Sequence, residues 1–237
     1  MNLNYIKKLK SKRNSVYIVK ANNLINDEIA IFMEEDISDG DKIKSQYMIM
    51  KKYNKENIHR LKQEYENIKM MEDHSIPVPK IIMKTHDSLF LEYLQGKLID
   101  ELVEKQSLGN WIDRFALWMS RLHKITFKGN SLLKSDANLR NFIYVNDMVY
   151  GLDFEEMGYG DPRNDLADIC FYILTNTPSF TRKKHLIMRQ FLTSYENYSE
   201  SKLKEMGKFL LHSRERAKIR RKKSRLTGNS QAIVKEE

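Results

Sequence analysis

Ser135-Asp136-Ala137-Asn138-Leu139-Arg140-Asn141, followed by Leu152-Asp153-Phe154-Glu155, is the densest polar constellation in the chain. Between its two parts lie Phe142-Ile143-Tyr144 and Met148-Val149-Tyr150-Gly151-Leu152, separated by a turn at Asn146-Asp147. Apolar, β-branched and aromatic residues on both sides of such a turn predict a hairpin. A hairpin returns Asp153 toward Asn141. Phosphoryl transfer needs this inventory: one carboxylate accepts the proton of an incoming hydroxyl, while an amide oxygen and a second carboxylate hold magnesium against the phosphates. Aspartate and asparagine are also ordinary turn residues, so the pattern acquires meaning only from its partners upstream.

Those partners are a lysine and a glutamate. Gln46-Tyr47-Met48-Ile49-Met50-Lys51-Lys52-Tyr53 reads as a strand, with Lys51 on the face of Tyr47 and Ile49 and Lys52 on the other. From Lys55 the period changes to that of a helix, with Ile58, Leu61, Tyr65, Ile68 and Met71 recurring at helical spacing. Glu64 falls between Leu61 and Ile68 on one face, whereas Glu66 lies about 200° around on the wetter side. A carboxylate on an apolar face needs a cation, because burying it unpaired is expensive. Lys51 is the expected partner.

Working outward, Ser15 to Val19 and Glu28 to Met33 read as strands before this unit, with a polar connection at 34–44. Ile76-Pro77-Val78-Pro79 ends the helix, and Ile81 to Met83 and Ser88 to Tyr93 read as two further strands. After Gly96 the chain turns mostly helical. Trp111, Phe115, Trp118, Met119 and Leu122 mark a strongly amphipathic helix, and helices resume from Leu166 to about Leu211. A mixed region followed by a helical one predicts a ligand cleft between them.

Composition narrows the class. The 237 residues are 41% hydrophobic and 31% charged, which suits a globular chain with a core large enough to need no staples. The single cysteine, Cys170, excludes an intrachain disulfide and a multi-cysteine zinc site. With no long apolar run or signal-like start, no membrane association and a cytoplasmic location are expected. The net charge of +9 is uneven: Arg214 to Arg225 carries +7, Lys7 to Arg13 carries +5, and the rest sums to −3. The C-terminal run is a candidate for protein or RNA contact through phosphates or acidic groups, although it has no interleaved aromatics for stacking.

Taken together, Met48-Ile49-Met50-Lys51, Glu64, Ile76 to Lys80, Phe90-Leu91-Glu92-Tyr93-Leu94-Gln95-Gly96, Asp136 to Asn141, Leu152 to Glu155 and Gly160-Asp161-Pro162-Arg163-Asn164-Asp165-Leu166-Ala167 resemble one group of proteins. It is the aminoglycoside phosphotransferase and choline kinase group of the protein-kinase-like superfamily. The resemblance covers about residues 15 to 175 and implies an α+β, two-lobed kinase-like fold. That fold has a small N-terminal β-sheet lobe with one helix and a mainly helical C-terminal lobe. Residues 1–94 would form the nucleotide-binding lobe, 95–212 the catalytic lobe and 213–237 a basic tail.

The resemblance also implies roles. Asp136 would be the catalytic base, Asn141 and Asp153 the magnesium ligands, and Lys51 with Glu64 the pair that orients the phosphates of ATP. The backbone from Glu92 to Leu94 would meet the adenine edge. Asp161 and Asp165 would brace the catalytic loop, and His123 would be a packed helix residue. The implied reaction moves the γ-phosphoryl group of ATP to a hydroxyl of a small molecule. Three departures keep a compact RIO- or KEOPS-like protein kinase and a non-catalytic nucleotide-binding module as alternatives. Lys134-Ser135 stands where the group usually has His-Gly, Ser11 to Ser15 stands where a glycine-rich loop would cover the phosphates, and the chain is short.

Overall fold

The computed structural model describes residues 2–9, 11, 14–22 and 47–233. The expected strand at Glu28 to Met33 and the connection at 34–44 lie outside the described residues. The chain divides into two compact units, one of residues 1–97 with 143–156 and the other of 98–142 with 157–237.

The first unit is built on a five-stranded sheet. Its strands are β1 (Asn2–Leu9), β2 (Ser15–Asn22), β3 (Tyr47–Lys52), β4 (Ile81–Lys84) and β5 (Ser88–Glu92), in the order β1-β2-β3-β5-β4. Each neighbouring pair is antiparallel, with Val16 opposite Lys51 and Lys51 opposite Leu89. Pleating sends alternate side chains of β3 to opposite faces. Met48 and Met50 enter a small core with Val19 and Phe90. Helix α1 (Ile58–Asp73) follows a 3-10 turn at Lys55–Asn57 that is capped by the Asn54 side chain. It buries Leu61, Glu64, Ile68 and Met71; Ile58, expected on the same stripe, is exposed at the first turn.

β6 (Lys97–Leu98) joins the hairpin of β9 (Phe142–Val145) and β10 (Met148–Gly151). Asn146 and Asp147 both take positive φ, 45° and 63°, the backbone twist a two-residue hairpin turn requires. Gly96 is needed for close approach here. A Cβ at that position would lie 2.4 Å from the Tyr144 carbonyl oxygen and 2.5 Å from a Val145 methyl group.

The second unit is mainly helical. It contains α2 (Ile99–Glu104), α3 (Trp111–Lys124), α4 (Arg163–Thr175), α5 (Arg182–Ser199) and α6 (Met206–Ile233). A three-stranded sheet, β11-β8-β7, joins β7 (Thr126–Phe127), β8 (Asn130–Leu133) and β11 (Gly158–Gly160). The five expected apolar residues of α3 are all buried. Phe115 meets Phe142 and Phe191 at ring distances of 4.6 and 5.1 Å, packing α3 against α5 and the end of the Asp136 loop.

The basic C-terminal run begins on α6. Ser213 and Arg216 both donate to the buried Asp168 of α4, the arginine at 2.8 Å. Cys170 is fully buried on α4, and burial pushes its thiol up to about 12. The native protein should therefore resist a thiol-reactive probe at pH 8 and react once denatured. Rapid labelling of the native protein would contradict this packing.

Candidate active site

The first unit assembles its polar centre around one ammonium group. Lys51 Nζ lies 2.7 Å from Glu64 Oε2, 2.7 Å from Asp153 Oδ1 and 2.8 Å from Glu155 Oε1. Burial alone would lower the pKa of Lys51, but Glu64 first, then Asp153 and Glu155, outweigh it and hold the ammonium well above its ordinary value. Neighbouring Lys52 points to the other strand face and is exposed. Strand alternation places the two lysines on opposite faces but does not by itself choose Lys51, since Lys52 shares its face with the buried Met48 and Met50; helix periodicity selected Glu64, which is 1% exposed, over the exposed Glu66.

Glu64 has further partners. Tyr53 donates its hydroxyl to Oε2, and the Phe154 N–H donates to Oε1 at 3.3 Å. Desolvation and the adjacent Glu64 carboxylate both raise the Tyr53 pKa, so it remains a donor. Glu155, read in the sequence without a role, is buried between Lys51, the Asn14 amide at 2.5 Å and Arg60 at 3.4 Å. Of the Ser11 to Ser15 stretch, residues 12 and 13 lie outside the described residues, while buried Asn14 is the member that reaches the polar centre. Glu155 belongs to the same Leu152 to Glu155 motif as Asp153, but the stretch is not a strand and Asp153 has φ +58°, so no alternation marks it. Nothing in the sequence signals Asn14, 141 residues away.

The donor set can be tested for a divalent cation. One oxygen each from Glu64, Asp153 and Glu155 lies within 4.8 Å of the others. The Asp153 side chain is 46% exposed, so its carboxylate is accessible to an incoming ligand. Asn14 Oδ1 is buried with no hydrogen-bond partner among the described residues, an acceptor beside carboxylates that a cation would satisfy. Hard oxygen donors of this kind suit magnesium. Glu64, Asp153 and Glu155 could thus hold such an ion, with Lys51 Nζ now within 2.8 Å of an oxygen of each.

At the end of β5, the Glu92 N–H donates to the Lys80 carbonyl at 2.9 Å. Its Oε2 accepts from the Lys80 N–H at 3.3 Å. The Glu92 amide is thus engaged within the sheet, and a base-edge donor on this segment would have to come from a later residue such as Leu94.

In the second unit, β8 leads directly into the Asp136 loop. Asn141, at the end of a 3-10 turn (Leu139–Asn141), donates through Nδ2 to the Asp136 carboxylate and carbonyl, both at 3.0 Å. With its amide nitrogen facing Asp136, the side-chain oxygen of Asn141 is the atom available as a metal ligand.

The loop is braced by Asp165. Its carboxylate accepts the N–H groups of Lys134 and Ser135 at 2.6 and 3.1 Å, and lies 3.3 Å from His123 Nε2. His123 Nδ1 in turn lies 2.9 Å from the Tyr195 hydroxyl. His123 is therefore packed on α3, as expected, but it also contacts the brace. Asp161 behaves otherwise than expected: its carboxylate is forked by Arg163, and these hydrogen bonds lower its pKa. It also accepts the Arg163 N–H at 2.9 Å, at the first residue of α4. Ser135 takes φ +62°, the left-handed region that a glycine would enter without cost.

Replacing buried Asp165 with leucine would leave two loop N–H groups without their acceptor. A loss of about 3 kcal/mol in urea unfolding is expected. A loss below about 1 kcal/mol would show that the loop does not depend on this brace.

Solved structures share this fold. The aminoglycoside phosphotransferase APH(2'')-Ib with ADP bound aligns over 90% of this chain and 81% of its own, at TM-score 0.59 and 13% identity. A choline kinase from Cryptosporidium parvum Iowa II aligns over 88% and 77%, at 0.59 and 11%. The macrolide 2'-phosphotransferase MphH from Brachybacterium faecium aligns over 88% and 81%, at 0.60 and 10%. The chain has the two-part kinase-like fold of these small-molecule phosphotransferases. No protein-family model matches the chain, and no curated protein matches it by sequence. Among the described residues, no helix is long and apolar enough to cross a membrane.

Proposed function

We propose that the protein is an ATP- and magnesium-dependent phosphotransferase acting on a hydroxyl of a small molecule. The observation that carries this reading is the buried Lys51 ammonium, held at 2.7 Å by both Glu64 and the partly exposed Asp153. A structural ion pair needs one carboxylate. A lysine poised among several, one of them accessible, is suited to meet phosphate oxygens as the carboxylates turn to a metal.

In this reading Asp136 accepts the proton of the acceptor hydroxyl, and its hydrogen bond to Asn141 fixes the carboxylate. Lys51 orients the phosphates, and Glu64 keeps the ammonium charged and placed. The backbone following Glu92, through Leu94, receives the adenine edge. Asn141 and Asp153 are the proposed magnesium ligands; when bound, magnesium neutralises charge on the phosphates. Small-molecule acceptors are favoured by the likeness to aminoglycoside, macrolide and choline phosphotransferases. A protein or RNA contact of the basic run rests on its charge alone.

The test is a thermal-shift titration with ATP, with and without magnesium, beside Asp153→Asn. Saturation at a hundredfold excess over Kd stabilises the native state by about 2.7 kcal/mol. A magnesium-dependent shift in the native protein that Asp153→Asn loses is expected. No shift with any nucleotide would overturn the reading.

A further inference from the structure

Helix α1 grips the backbone beside Asp153 at two points. One is the Glu64 carboxylate, which accepts the Phe154 N–H at 3.3 Å. The other is Asn67, whose Nδ2 donates to the Phe154 carbonyl oxygen at 2.7 Å. Asn67 lies three residues after Glu64, so both side chains leave neighbouring positions on one helical face. Phe154 itself is 0% exposed, and its backbone groups must find partners inside the protein.

The residue before it takes a left-handed backbone. Asp153 has φ +58°, a region that aspartate enters more readily than most residues but that is still the less populated one. The hydrogen bonds to the N–H and C=O of the following residue hold it there, because they fix the two peptide planes that flank Phe154. That conformation aims the Asp153 carboxylate, with Oδ1 2.7 Å from Lys51.

We propose that Asn67 is a positioning residue that acts through the Phe154 backbone to hold Asp153 in its metal-binding orientation. This rests on the phosphotransferase reading above. Glu64 is a poor probe of the clamp, because it also serves Lys51 and Tyr53. Asn67 offers a cleaner one. Asn67→Leu keeps the size and removes the donor, whereas Asn67→Gln restores a donor on a longer stem.

The probe is Mn2+, titrated by electron paramagnetic resonance into the full chain with ADP present, alongside urea unfolding and metal-free ADP binding. Residues that orient metal ligands typically change metal affinity about 10–100-fold. Asn67→Leu should weaken Mn2+ binding by at least about tenfold, with metal-free ADP affinity unchanged and partial recovery in Asn67→Gln. In an Asp153→Asn background, Asn67→Leu should add no further loss of metal affinity.

If the native protein binds Mn2+ with ADP and Asn67→Leu binds it within twofold, the positioning role is wrong while the phosphotransferase reading stands. A further loss in the Asp153→Asn background would also overturn the role, since Asn67 would then act elsewhere. If the native protein binds no Mn2+ with ADP, the phosphotransferase reading itself fails. Should Asn67→Leu not fold, Asn67→Ser, with a shorter side chain that does not span to Phe154, is read by the same outcomes.

Discussion

Asp136→Asn is expected to lower turnover by about three orders of magnitude, the middle of the range for losing a positioned general base. Measured as acceptor-dependent ADP release, the loss should fall on kcat. The Asp136 carboxylate accepts from Asn141 at 3.0 Å, and an asparagine of the same shape can still place an oxygen there. The loop should therefore keep its conformation, and magnesium-dependent ATP binding should stay within a few-fold of the native value. This separation is the informative part. A residue that merely shaped the loop would move stability and binding together with rate. Full turnover in the variant would remove Asp136 as the base, and lost folding would show its role to be structural.

Lys51→Met carries the largest expected effect on stability. The change deletes the cation that lies within 2.8 Å of Glu64, Asp153 and Glu155, and leaves three carboxylates within 4.8 Å of one another. Breaking a buried ion pair from one side costs about 3–5 kcal/mol, which in a chain of this size corresponds to a fall of roughly 10 °C in melting temperature. One condition should recover part of the loss. Millimolar magnesium or calcium should stabilise the variant more than the native protein, because a divalent cation can replace the ammonium. Thermal melts with and without the metal would show it. A variant as stable as the native protein, indifferent to the metal, would mean that the carboxylates are not held around Lys51.

Much of the fold was legible because its elements carry their own periodicity. Lys51 and Lys52 were put on opposite faces by strand alternation, and Glu64 and Glu66 by helical spacing; burial follows the helix assignment, whereas Lys51 is buried among its carboxylate partners on the face of exposed Tyr47. The β9–β10 hairpin was readable from Asn146-Asp147, whose positive φ values are those that asparagine and aspartate tolerate. β1 was not legible. Asn4 to Lys8 is exposed on a strand at one edge of the sheet, with a register shift between Tyr5 and Lys7, so no apolar alternation marks it. The short β7, β8 and β11 were missed for a related reason: two to four residues are too few to show a period. Asp161 was grouped with Asp165 by motif, yet Arg163, two residues on, is close enough to claim it first.

The sequence by itself determined the inventory and the local geometry: a lysine on the strand face opposite to that of Lys52, a glutamate on a buried helix face, and Asp136 with Asn141 five residues apart. These follow from steric rules acting over a few residues. Only the tertiary structure decided which groups meet. Lys51 finds Asp153 102 residues away, Asn14 finds Glu155 across 141, and Asn67 finds the Phe154 carbonyl across 87. Such contacts depend on how strands and helix pack, and burial then selects among the available partners, because a charge or an amide removed from water must be paired where it stands.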